Sequence, residues 1–367
     1  MDSIWLNSSG LPKLCGKIFT MKNTIYDLSL DDLKIWVDAK GEKPYRATQI
    51  FQWLYRKHVT DFLEMSDVKK DFLTLLQDHF IINPLKLRQR QKSSDGTLKY
   101  LFELEDGLLV ETVLMTYDYG KSVCVSSQVG CNMGCTFCAS GLLKKNRDLT
   151  AGEMVAQILY VQRELDETQD RVSHCVVMGT GEPFDNYHNV MRFLAILNHD
   201  LGLAIGARHL TISTCGIVPM IHQFATEKVQ YNLAISLHAP NDALRSSLMP
   251  INRAYPLKEL FDALKAYSES NHRRLTFEYI LLKDVNDQDL HVRQLSQLIR
   301  GMNAYVNLIP YNVVDEHGFK AVDFASAMKF YDKLMMLGVK CTLRQEHGRD
   351  IDAACGQLRA KVEGKLG

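Results

Sequence analysis

The sequence contains no uninterrupted apolar stretch approaching the ~18 residues that a membrane-spanning helix needs, which excludes an α-helical membrane anchor within it. Its first 20 residues, MDSIWLNSSGLPKLCGKIFT, offer no continuous apolar core of signal-peptide length, so a cytoplasmic location is the expectation. Charge of one sign is also missing. Forty-three basic residues balance forty-three acidic ones, so the overall field neither favours nor opposes a polyanionic partner. No internal repeat or low-complexity segment is present, which excludes a solenoid. The last shortage is local. Cys131, Cys135 and Cys138 crowd into CNMGCTFC, and no fourth cysteine follows nearby, whereas a structural zinc site closes on four protein ligands.

What is present is ordinary for a soluble enzyme: 46% hydrophobic and 23% charged residues over 367 positions, enough for a large core and more than one domain. From about Tyr26 to His79 the pattern is helical. LSLDDLKIWVDAKG offers Ser29 as N-cap with Asp32 three residues on, and Gly41 as a stop. RATQIFQWLYRKH and DVKKDFLTLLQDHF repeat the theme. After Pro84, KYLFELEDGLLVETVLMTY alternates apolar and polar residues around EDG, the mark of a hairpin. From Val123 onward, apolar runs (VCVSS, HCVVMG, HLTISTCG, YNLAISLH, LTFEYILL, YVNLIPY, VKCTLRQ) alternate with helical stretches, one of them capped by Thr150. About six such units predict an α/β fold, a partial (βα)6 barrel with functional groups at the C-terminal ends of its strands. The expected organisation is an extension over 1–20 (Met21 could itself be the start), a helical RNA-binding unit over 21–84, a β-hairpin region over 85–122, the barrel over 123–360 and a tail over 361–367. A monomer is the default.

On spacing alone the CX3CX2C loop fits an iron-sulfur cluster, a zinc site with a recruited fourth ligand, or no metal at all. A thioredoxin-like reading of CTFC would leave Cys131 idle. With Phe137 inside it, the loop resembles the signature of the radical S-adenosylmethionine (SAM) superfamily. That resemblance implies a [4Fe-4S] cluster on Cys131, Cys135 and Cys138, whose open iron binds SAM. It also makes GTGEP, with Gly181 and Glu182, the segment that receives the SAM amino group. Taken alone, GTGEP is a strand-to-loop turn, and it lacks the third glycine of a dinucleotide fingerprint. Ser213, Ser236, Leu237, His238 and Asn312 fall at later strand ends, each singly a common turn or cap residue. Together they supply donors and acceptors suited to ribose, carboxylate and adenine.

Two cysteines stand apart: Cys124 on the strand feeding the loop, and Cys355 among small residues in DIDAACGQL. Cys15, Cys175, Cys215 and Cys341 read as inert core thiols. SSQVGCNMGCTFC, MGTGEPFDN, LAISLHAPND, LMPIN and DIDAACGQL together resemble the RlmN/Cfr family of radical SAM RNA methyltransferases, from about Met21 to the C-terminus. GEP and SLHAPND match its adenine-C2 branch; the alternative is the Cfr-type branch, which methylates C8.

The resemblance implies the substrate and the roles. The substrate is an adenine of 23S rRNA, with an anticodon-loop adenine of tRNA as a further possibility. Cys355 takes a methyl group from one SAM, a second SAM yields a radical that activates this methyl, and the resulting methylene adds to C2. Cys124 resolves the protein-RNA adduct as a disulfide with Cys355. Glu111, in VETVL, would act as proton acceptor; without the resemblance it reads as an exposed strand carboxylate. An electron donor such as flavodoxin or ferredoxin is implied. C2 is a carbon between two ring nitrogens with no acidic proton, so ordinary polar methyl transfer fails there and a carbon radical can add. The basic segments Lys86–Lys92, Leu142–Arg147 and His272–Arg274 would then serve RNA phosphates; otherwise they are solvated surface. Two rivals remain: a radical SAM enzyme acting on a protein or metabolite, which would need neither Cys124 nor Cys355, and a non-enzymatic RNA-binding protein with structural zinc.

Overall fold

The computed structural model describes residues 22–344, 347–348, 350–352 and 356–364. The expected N-terminal extension, Cys15 and Cys355 therefore lie outside the described residues. Ser29 sets the first helix. Its Oγ accepts the N–H of Asp32 at 3.1 Å, and the Asp32 carboxylate accepts the N–H of Ser29 at 3.2 Å. This reciprocal cap satisfies two amides with no partner inside the helix and opens α1 (Leu30–Ala39). With α2 (Tyr45–Arg56) and α3 (Lys70–His79) it forms a helical unit whose apolar faces join the same core as the sheet behind it. Asp27 ties the two together by accepting the N–H of Gly152 at 2.7 Å.

Ten strands form one sheet: β1 (Leu85–Lys92), β2 (Leu98–Leu104), β3 (Leu109–Tyr117), β4 (Gly120–Val125), β5 (Val172–Val177), β6 (Leu210–Thr214), β7 (Asn232–Ser236), β8 (Leu275–Leu281), β9 (Ala304–Pro310) and β10 (Cys341–Leu343). Their spatial order is their chain order, and β1 and β10 are the edges. The β1–β4 pairs are antiparallel; every pair from β4 to β10 is parallel. Parallel neighbours need a crossover, here supplied by α4 (Ala151–Asp166), α5 (Tyr187–Asn198), α6 (Val218–Thr226), α7 (Asp242–Leu248) with α8 (Leu257–Asn271), α9 (Asp289–Leu298) and α10 (Phe324–Met336). Six βα units on an open sheet make the partial barrel that the alternating pattern implies. Thr150 caps α4 as expected, with the same reciprocal bonds to Glu153.

The basic run at 86–92 belongs to edge strand β1, where Arg88 pairs with Glu103 (2.5 Å) and Arg90 with Glu164 (3.0 Å). Charged side chains suit a sheet edge because they discourage pairing with another chain. In the second basic run, Lys145 pairs with Asp148 and Asp185, and Arg147 with Asp106 and Glu153. The third lies at the opposite mouth of the barrel from the cysteines, with Arg274 over the Tyr305 ring. Much of the charge read as free for RNA in the first two runs is therefore neutralised within the fold.

Candidate active site

At the C-terminal end of β4 the chain turns out into the cysteine loop. The loop is anchored at both ends: the Cys131 N–H donates to the Leu143 carbonyl and the Thr136 N–H to the Leu248 carbonyl, each at 2.9 Å. A cavity of about 370 Å³ opens beneath it. Cys131, Cys135 and Cys138 line it together with Cys124, Gly181, Glu182, Ser213, Ser236, His238 and Asn312. The cysteine loop and the C-terminal ends of β4, β5, β6, β7 and β9 thus converge on one space, as expected of a parallel barrel.

Burial, followed by the charge of Cys138, pushes the Cys131 thiol up to about 12, although the Met133 amide acts against the shift. Cys135 is raised by burial and then by both of its fellow thiols. Such thiols become good ligands when a positive metal centre replaces their protons. Among the described residues, no three His, Cys, Asp or Glu side chains gather around a point for a single ion. A cubane offers three separate irons, so its thiolates need not meet at one point. Three mutually sensed thiols on a cavity wall, with space beside them, fit a [4Fe-4S] cluster with one iron left for SAM.

GTGEP packs directly on the first barrel strand. The Gly179 N–H donates to the Val125 carbonyl (3.0 Å), and Gly181 has φ +114°, with the position of a Cβ only 2.7 Å from the Gln128 side chain. Only glycine fits there. Glu182 is buried and its pKa is raised by desolvation, yet both oxygens are engaged: Phe184 N–H donates to one (2.9 Å) and Cys215 N–H to the other (2.8 Å). It fastens the end of β5 to the end of β6. Ser213 and Ser236 sit on neighbouring strands with hydroxyls 3.4 Å apart. His238 occupies the left-handed region (φ 55°), accepts the Ile280 N–H on Nδ1 at 3.1 Å, and is held down to about 3 by burial and then by Arg245. Its imidazole is neutral with the proton on Nε2, where it can donate into the cavity.

Two expected positions fall elsewhere. The Leu237 side chain lies fully in the hydrophobic core, because alternate residues at a strand end face opposite sides, while Ser236 and His238 on either side of it line the cavity. Glu111 is neither exposed nor on the cavity wall. It is 4% exposed and pairs with the fully buried Lys99 at 2.9 Å. Cys175 and Cys341 are buried as expected, while Cys215 reaches the cavity wall beside Phe137.

Sequence reasoning missed Glu278 and Arg344, which also line the cavity. Glu278 is buried in the barrel interior, accepts from Asn307 Nδ2 (2.9 Å) and faces Arg344 at 3.7 Å. The available signal was a lone carboxylate inside the apolar run LTFEYILL. Burial opposes the Arg344 charge, but Glu278, Tyr117 and Cys124 outweigh it. Arg245, fully buried, was missed as well. It reaches the carbonyls of Cys215 (2.6 Å), Ser236 and Leu237 (both 3.2 Å) and the Asn252 side-chain oxygen (2.9 Å), tying together the loops after β6 and β7.

A partial (βα)6 barrel with three thiols at the head of its first parallel strand defines a radical SAM enzyme. Residues 125–295 match the radical SAM superfamily, and residues 23–82 match the ribosomal RNA large subunit methyltransferase N-terminal domain. A probable dual-specificity RNA methyltransferase RlmN from Streptococcus thermophilus is 58% identical over 346 residues, covering 93% of this chain and 89% of that protein. Its counterpart from Streptococcus pyogenes serotype M3 is 56% identical, covering 93% and 97%. The crystal structure of a radical SAM methyltransferase from Sphaerobacter thermophilus superposes with a TM-score of 0.89 at 44% identity, covering 91% of this chain and 98% of that one. The chain belongs to the RlmN family of SAM-dependent RNA methyltransferases. Among the described residues, no helix is long and apolar enough to cross a membrane.

Proposed function

We propose that this enzyme methylates C2 of an adenine in 23S rRNA, and an adenine in the anticodon loop of tRNA, with Cys355 as methyl carrier and Cys124 as resolving thiol. One observation carries the reading. Gly356, covalently next to Cys355, packs against the cysteine loop so closely that a Cβ on it would lie 2.8 Å from the Ser140 amide nitrogen. Ser140 and Cys124 line the same cavity as the three loop cysteines. The chain position next to the proposed methyl carrier thus lies against the loop that follows Cys138, which supports the reading.

Each group then has a task. The Cys355 thiolate attacks the methyl carbon of SAM and becomes S-methylcysteine, as thiolates are the nucleophilic form. A [4Fe-4S] cluster held by Cys131, Cys135 and Cys138 would supply the electron that splits a second SAM into methionine and the radical that removes hydrogen from that methyl group. The GTGEP backbone, Ser213, Ser236, His238 and Asn312 orient SAM. The methylene radical on Cys355 adds to C2 of a flipped adenine, whose unstacking costs a few kcal/mol and least in a loop. The adduct loses one electron, which the cluster would take back, and the C2 proton. The Cys124 thiolate then attacks the Cys355 sulfur, the S–CH2 bond breaks, and the released carbon takes a proton to become the methyl group. A Cys124–Cys355 disulfide is left, which an external reductant must return to two thiols. Flavodoxin or ferredoxin is the class of donor that suits the electron supply.

The test is digestion of ribosomal and transfer RNA from cells lacking and carrying this gene. C2-methyladenosine appearing only with the gene supports the proposal. C8-methyladenosine instead would assign the Cfr-type reaction, and unmodified RNA would overturn both.

A further inference from the structure

We propose that a run of aromatic rings and four cations at the far mouth of the barrel form a shelf that binds the single-stranded RNA flanking the target adenine. The inference rests on RNA as the substrate and is independent of which adenine carbon is methylated.

The rings stand at the β3–β4 turn and at the starts of β5 and β6. Tyr117 and Tyr119 stack with centroids 4.8 Å apart and planes 9° apart. The Tyr119 ring meets His174 edge-on at 4.9 Å, and His174 stacks on His209 at 4.2 Å. A core would bury such an array, yet Tyr119 is 63% exposed and His209 is exposed as well. Burial and then His209 lower the His174 pKa, so its ring stays neutral at neutral pH. Exposed rings are what unpaired bases stack on.

Charge accompanies the rings. Tyr119, Arg208, Lys228, Arg273 and Arg274 line one cavity of about 1080 Å³. Among the described residues no carboxylate pairs with any of these four cations. Arg208 and Arg273 donate to the side-chain oxygens of Gln230 (3.3 Å) and Asn232 (2.7 Å), and Arg274 lies over the Tyr305 ring. Of the carboxylates on the same wall, Glu227 accepts from the Tyr187 hydroxyl (3.1 Å) and Glu278 faces Arg344 (3.7 Å). A concave mouth with this excess of cations attracts a polyanion.

Position makes the occupant the substrate strand. Val176, Met178, Glu278 and Arg344 line both this mouth and the cavity of the loop cysteines. Along β8, Thr276 at the mouth and Ile280 at the catalytic cavity are about 13 Å apart. At ~3.4 Å per nucleotide of a stacked strand, that is about four nucleotides. The shelf therefore meets bases beside the flipped adenine, not the adenine itself.

Cluster-loaded full-length enzyme is titrated with a labelled single-stranded oligoadenylate and read by fluorescence anisotropy. Tyr119→Ala should weaken binding about tenfold or more with its salt dependence unchanged, and Tyr119→Phe should retain wild-type affinity. An abasic strand of the same length should bind wild type and Tyr119→Ala alike. The triple variant Arg208→Gln, Lys228→Gln, Arg274→Gln should reduce the slope of log K against log salt by about 2, at ~0.7 per phosphate contact. Tyr119→Ala and the triple variant should both raise the KM for 23S rRNA taken from cells lacking the gene, with iron content and SAM affinity unchanged.

Wild-type affinity and salt slope in both variants would overturn the proposal. So would wild-type RNA affinity combined with slower reduction of the cluster by flavodoxin, which would assign the mouth to an acidic electron donor. Failure of wild type itself to bind or methylate any RNA would overturn the RNA reading and the shelf with it.

Discussion

Arg245→Met tests whether one buried guanidinium holds the SAM-facing loops in place. The substitution keeps most of the stem volume and removes the head from a site that is 0% exposed. Four hydrogen bonds are lost, to the carbonyls of Cys215, Ser236 and Leu237 and to the Asn252 amide oxygen, none of which carries a full charge; the Leu237 carbonyl keeps the Ala239 N–H at 2.7 Å. At about 1 kcal/mol per hydrogen bond, the loss is ~4 kcal/mol. Burial of the guanidinium, which lowers its own pKa, acts in the opposite direction, and replacing a buried charge by an apolar group is sometimes neutral. The hydrogen bonds should prevail because the carbonyls stay fixed at strand ends. A loss of ~4 kcal/mol in a body of this size lowers the Tm by roughly 8–16 °C. Thermal unfolding followed by circular dichroism reads the shift, and isothermal titration reads SAM affinity, which should fall with it. A Tm within about 2 °C of wild type, with unchanged SAM affinity, would refute the reasoning: desolvation would then cancel all four bonds.

Changing Cys131, Cys135 or Cys138 to alanine should abolish cluster binding and methylation, since the motif has no spare ligand; iron and sulfide analysis of anaerobically purified protein checks this. Cys124→Ala should leave protein trapped on RNA as a nuclease-sensitive band on a denaturing gel, and Cys355→Ala should give none; the reverse pattern would exchange their roles. His238, depressed to about 3 against an ordinary 6.5, stays neutral in the native state at neutral pH. The unfolded chain binds more protons between those values, so this group's stabilisation is present above about pH 6.5 and is lost as pH falls towards 3, at up to about 1.4 kcal/mol per unit. Denaturant unfolding of wild type and His238→Gln across pH 4–8 should show the difference between them shrinking at low pH. Gly356→Ala, with a Cβ forced against the Ser140 amide, should keep the cluster but lose Cys355 methylation, as mass spectrometry would show.

Local chemistry made much of this protein legible. The caps at Ser29 and Thr150, the EDG hairpin and the apolar runs of the barrel depend on neighbours within a few residues, and they fold as their patterns imply. The site was legible where its residues stand at strand ends, because a parallel barrel brings those ends together whatever lies between them. Features set by distant partners were hidden. Nothing around Lys86–Lys92 reveals that Glu164 will neutralise Arg90, nor does VETVL reveal that Glu111 meets amides near the far end of the chain. Leu237 shows a different limit: a three-residue phrase can mark a site while its middle side chain points into the core.

Lys99 Nζ donates to the Asp352 carbonyl and Glu111 accepts the Gly356 N–H, bonds that join residues 253 and 245 positions apart and so impose an order on folding. At ~5–20 residues per second of synthesis, β2 and β3 wait roughly 12–50 s for their partners to be made. During that interval the parallel strands can assemble, since each crossover closes locally, while Ser140 still lacks Gly356 beside it. The cysteine loop is thus complete before the chain end arrives beside Ser140. Closing so long a loop costs little more than closing one half its length, because the entropy grows only logarithmically. The final turn can therefore dock last and still hold.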